Sequence, residues 1–151
     1  MCKRSPLFTG RLFYLAKKLF STLKALFESK RELFKGLWID SSDYTWESYS
    51  VISLDFSTLS SSTPEELKKE LIYDLESHAD QFSIDISQAP STPLAKLKGL
   101  ITKLAKKNKI IILIDEYDHP IIKTIGDNEL AKANLEILFS GIKHHLLPFP
   151  M

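Results

Sequence analysis

Apolar residues recur along this chain in two rhythms. Over residues 11–28, RLFYLAKKLFSTLKALFE, Leu12, Leu15, Leu19, Leu23 and Leu26 fall three and four residues apart, with Phe20 and Phe27 beside them and Lys17, Lys18 and Lys24 mostly on the other side. That spacing predicts an amphipathic helix whose apolar stripe covers one face of a sheet. Residues 30–35 extend it by a last turn or a short second helix, ended by Gly36. A polar loop over 41–50 carries Tyr44, Trp46 and Tyr49, expected to pack rather than to stack on a base. Val51 to Phe56 reads as a strand, and Asp55 within it needs a partner if it is buried.

Two further helices announce their starts. Thr63-Pro64 and Thr92-Pro93 each offer a capping hydroxyl followed by a proline at the first helical position. The first helix is expected to run to about Phe82 with Leu67, Leu71, Ile72 and Leu75 inward and His78 at the surface or an edge. The second runs to about Lys107, with Leu94, Leu97, Leu100, Ile101 and Leu104 inward and its lysines in solvent. A last amphipathic helix spans 127–143 through Leu130, Leu135, Leu138 and Phe139.

The second rhythm is a continuous run. Ile110 to Ile114 are five branched apolar residues in a row, which predicts a strand buried on both faces, as in the centre of a parallel sheet. With the strand near 50–56 it should pair in parallel through a right-handed crossover. The run stops on Asp115-Glu116, where open α/β sheets place their ligand sites. Two acids there serve metal and water chemistry, or are simply solvated turn residues.

An apolar strand ending in Asp-Glu resembles the Walker B element of a P-loop ATPase. Asp115 to Ile121 (DEYDHPI), Ser21 to Gly36 (STLKALFESKRELFKG) and Ser50 to Ser57 (SVISLDFS) together resemble the AAA-ATPase-like domain family, often found ahead of a PD-(D/E)XK nuclease-like domain. The resemblance covers about residues 19–143. It implies a partial P-loop NTPase-like three-layer α/β sandwich, with an amino-terminal strand and later strands missing. It also implies ATP and Mg²⁺ as cofactors, with Asp115 on the metal and Glu116 polarising the attacking water as the catalytic residue.

The family's phosphate loop, G-x-x-x-x-G-K-[ST], should fall ahead of the first helix. Anchoring on Ser21-Thr22-Leu23 puts Gly10 at the first glycine and Leu15, Ala16 and Lys17 at the second glycine, the lysine and the hydroxyl. A slip of one residue puts Ala16, Lys17 and Lys18 there. Both registers are degenerate and leave Lys17 and Lys18 as the remaining phosphate contacts. The implied function is therefore an ATP-binding ATPase relative whose hydrolysis is impaired or lost. The alternative is a non-catalytic truncated remnant acting at most as a protein-interaction module.

Composition changes the picture little. A chain of 151 residues suits one domain, here 11–143, with 1–10 expected to be disordered or scrambled and 144–151 a frayed tail. A net charge of +1 gives no reason to expect nucleic acid or an anionic membrane as partner. Arg11, Lys17 and Lys18 interrupt the amino-terminal apolar stretch well short of the roughly 20 residues that cross a bilayer. The single Cys2 excludes an internal disulfide framework and a Cys-rich zinc site, and fits a reducing, cytoplasmic location. His144-His145, being adjacent, do not share a helix face for metal binding. No Asp…Glu-x-Lys constellation suggests a nuclease. A sheet lacking strands has exposed edges, so self-association through those edges or through apolar helices is expected.

Overall fold

A computed structural model describes the backbone of residues 6–60, 62–124 and 126–139, with side chains inside 15–138. The elements are α1 (Pro6–Phe27), β1 (Ser50–Asp55), α2 (Pro64–Gln81), α3 (Pro93–Leu104), β2 (Ile110–Asp115), α4 (His119–Ile122) and α5 (Asn128–Phe139), with 3₁₀ turns at Arg31–Phe34, Trp38–Ser41 and Phe56–Thr58. Helix α1 begins at Pro6, ahead of the start that the leucine spacing predicts. Met1 to Ser5, the tail over 144–151 with its two histidines, and any strand after 143 lie outside the described residues.

The caps form as their residue types dictate. Thr63 Oγ1 accepts from the Glu66 amide at 3.2 Å and Thr92 Oγ1 from the Ala95 amide at 3.3 Å. The prolines that follow sit where no N–H is needed.

The two strands pair in parallel, in register from Ser50 opposite Ile110 to Asp55 opposite Asp115. Side chains alternate across the sheet. On one side Ile52 and Leu54 join Ile110, Ile112 and Ile114 in a core with Leu67, Leu71 and Leu75 of α2, Leu100 and Leu104 of α3 and Leu138 of α5. Ile52, Leu67 and Leu100 are completely buried, each worth about 1.5–3 kcal/mol over an exposed side chain. On the other side α1 lies over Ser53 and Asp55. The layering is helix, sheet, helix.

Three expectations are corrected. The first concerns α1, where Lys17 and Lys24 reach the sheet while Leu15 and Leu19 turn to solvent. Lys24 Nζ donates to Ser53 Oγ at 2.9 Å and Lys17 Nζ to Asp55 Oδ2 at 3.1 Å, while Leu15 and Leu19 are 57% and 61% exposed. Ser53 and Asp55 make that part of the sheet polar, so the amines find partners there. The two strands among the described residues are also too narrow to cover a whole apolar stripe.

The second correction concerns β2. Its residues are all half-buried, whereas Val51, Ile52 and Leu54 of β1 are buried. Among the described residues β2 has a strand on one side only, so the most apolar segment of the chain is an edge.

The third concerns His78, which is buried and not at the surface. Its Nε2 lies 2.9 Å from the Ser53 carbonyl oxygen, so α2 caps an outward carbonyl on the free side of β1. The aromatic loop does pack: Trp46 meets Phe34 and Tyr44 edge-on at 5.4 and 5.3 Å, and Tyr49 meets Phe27 at 5.7 Å.

Candidate functional site

Both strands end on an acid, and the parallel register sets Asp55 directly opposite Asp115. Each belongs to the alternation that points toward α1, so the carboxyl end of the sheet gathers negative charge beneath that helix. The Asp55 carboxylate is fully engaged. Oδ1 accepts from the Ser57 amide at 2.9 Å and from the Ser57 hydroxyl, and Oδ2 accepts from Lys17 Nζ. Burial pushes its pKa up, but the bonds from Ser57 and Lys17 outweigh that and hold it below the ordinary carboxylate value. Lys17 responds in kind: its hydrogen bond to Asp55 raises its pKa, and the charges of Asp115 and Glu116 add in the same direction. The four groups therefore share one electrostatic field.

Glu116 carries the chain out of the sheet. Its φ of +54° lies in the left-handed region, which costs a residue with a side chain roughly 1–2 kcal/mol. The turn closes with the His119 amide donating to the Glu116 carbonyl at 2.9 Å. Glu116 Oε2 comes within 3.9 Å of His119 Nδ1.

The acid end suits a hydrated divalent ion. Among the described residues no group of three or more His, Cys, Asp or Glu converges to hold a metal. Asp115 would therefore give one carboxylate to an ion otherwise held by water and phosphate, a coordination that Mg²⁺ accepts. The phosphate side does not fit. Gly10 to Lys18, where the loop should be, lie inside α1, and past its first turn a helix spends its amides on its own carbonyls. Among the described residues, Gly10 to Lys18 therefore offer no run of free N–H groups to cradle phosphate. Lys17 faces Asp55, whereas Lys18 sits about 100° further round the helix and is exposed. The structure thus brings Asp115, Glu116 and Lys17 together and leaves Lys18 apart.

Sequence reasoning assigned no site role to Asp55 or Ser57. The signal was present: Asp two residues ahead of Ser at a strand end is an Asx-turn pattern, and both strands close on Asp.

These features define an α/β chain with paired parallel strands that end in acids beside a lysine-bearing helix. The family model described as "AAA-ATPase_like: Predicted AAA-ATPase" matches residues 13–145, and the chain belongs to that family. No curated protein and no solved structure matches it. Among the described residues no helix is long and apolar enough to cross a membrane.

Proposed function

We propose that this chain is an AAA-ATPase-like protein that keeps the acid end of a nucleotide site and has lost the phosphate loop, so that ATP hydrolysis is impaired or absent. Asp115 is the Mg²⁺ residue and Glu116 the water-polarising one. Lys17 and Lys18 are the cations left for phosphate, within a reduced P-loop NTPase-like sandwich. The supporting observation is that α1 runs unbroken through 10–18 with Lys17 already held by Asp55. Phosphoryl transfer relies on positioning and on preorganised charge around the phosphates, and an unbroken helix supplies neither. A cytoplasmic location fits the lone Cys2.

Phosphate release from Mg-ATP tests this reading, with Glu116→Gln as comparison. Both proteins are expected at background. Turnover by the natural chain that the substitution abolishes would overturn the loss of activity and establish Glu116 as the catalytic residue.

A second reading is a non-catalytic remnant that acts by association, with its own copies among the partners. Two observations favour it: the exposed Leu15 and Leu19 on α1, and the half-buried β2, which among the described residues is paired on one side.

A further inference from the structure

Two carboxylates opposite each other on neighbouring strands repel unless a cation stands with them. The parallel register creates that situation at Asp55 and Asp115, and Glu116 follows with a further negative charge. The chain answers it from within. Lys17 Nζ lies 3.1 Å from Asp55 Oδ2 and 3.5 Å from Ser57 Oγ, and the charges of Asp115 and Glu116 act on the same amine.

The fold delivers this amine. Ser57 holds the other oxygen of Asp55 through its amide at 2.9 Å and through its hydroxyl, so the carboxylate is already fixed where Lys17 reaches it. Lys24, about two turns further along α1, bonds to Ser53 at 2.9 Å and keeps the same side of the helix over β1. Helix and strand are thus pinned at two points.

A tethered ammonium group has an advantage over a dissolved ion. It stands at a high effective concentration as long as the helix is docked. A divalent ion drawn to Asp115 meets a positive charge already in place, and must share that field or push the lysine aside.

We propose that Lys17 is the built-in counter-ion of the acid end, balancing Asp55 and Asp115 in place of a divalent cation and so keeping the affinity for metal low. This rests on the reading of Asp115 as the Mg²⁺ residue, and adds that its metal affinity is masked. Two separate features then set this site apart from a nucleotide site: amides spent within a helix, and one seated side chain.

Titration of the full chain with Mn²⁺ alone, followed by the electron paramagnetic resonance of the free ion, tests it, with circular dichroism to confirm folding. Mn²⁺ takes the same oxygen ligands as Mg²⁺. Lys17→Gln removes the charge and keeps a donor for Asp55; it is expected to bind Mn²⁺ about tenfold more tightly than the natural chain, and Lys17→Met likewise. Lys17→Arg, which restores the charge, should bind as weakly as the natural chain. Lys24→Met takes one charge from the same side of α1 and should change nothing; an equal gain there would reduce the effect to net charge and overturn the counter-ion. Equal affinity of the natural chain and both uncharged variants, lost in each on Asp115→Asn, overturns the counter-ion and leaves the metal role of Asp115 standing. A gain in Lys17→Gln that survives Asp115→Asn, or no binding by either uncharged variant, overturns both.

Discussion

Lys17 reaches from the middle of α1 to Asp55, with 3.1 Å between Nζ and Oδ2, and so closes a helix onto the end of the strand below it. Both side chains are more than a third exposed, so water screens the pair and it contributes little to stability. Asp55 also accepts two bonds from Ser57. Urea denaturation is therefore expected to show Asp55→Ala costing about 1–2 kcal/mol and Lys17→Ala less. The reverse order would mean that the lysine, and not the Ser57 turn, anchors this corner.

The same carboxylate sets a pH dependence. Because its folded pKa is depressed, its contribution is complete above the ordinary carboxylate value of about 3.9 and disappears as pH falls through the lower folded value. The stability gap between the natural chain and Asp55→Asn should hold from neutral pH to about 4 and close below it. A gap that persists at lower pH would show the loss to be one of packing.

Helix α1 supplies a sharper contrast. Leu15 and Leu19 are exposed, whereas Leu100 is fully buried. Leu15→Ser and Leu19→Ser should each stay within about 0.5 kcal/mol of the natural chain, against about 3 kcal/mol for Leu100→Ala. Large losses at Leu15 or Leu19 would put the leucine stripe on the sheet, as helical spacing alone predicts.

His78 caps the outward carbonyl of Ser53 on β1. Replacing it with Leu keeps an apolar filling but leaves the Ser53 carbonyl without its donor, at a cost of about 1–3 kcal/mol. Tyr73→Ala on the same helix, at a 75% exposed position, should cost no more than about 0.5 kcal/mol. Equal effects of the two would remove His78 from its role as an edge cap.

Much of this was legible in the residues. Thr63-Pro64 and Thr92-Pro93 fixed two helix starts because capping is local chemistry. The stretches 50–56 and 109–114 read as parallel strands because branched runs joined through helices have few alternatives. What the spacing of leucines could not reveal was the width of the sheet. With two strands among the described residues, β2 lies at an edge of the sheet they form, and Lys17 and Lys24 reach Asp55 and Ser53 while Leu15 and Leu19 turn outward. Likewise nothing local to His78 says that an outward carbonyl waits at Ser53. That depends on strand parity, a property of the pair.

The proposed loss of the phosphate loop is tested most directly by a thermal melt of the purified chain with and without Mg-ATP. A ligand present at a hundred times its dissociation constant stabilises by about 2.7 kcal/mol, enough to raise the midpoint of a domain this size by roughly 2–8 °C. A cooperative transition whose midpoint stays where it is on adding millimolar Mg-ATP is the expected result. A rise of several degrees that Asp115→Asn abolishes would contradict it and restore a working nucleotide site to this chain.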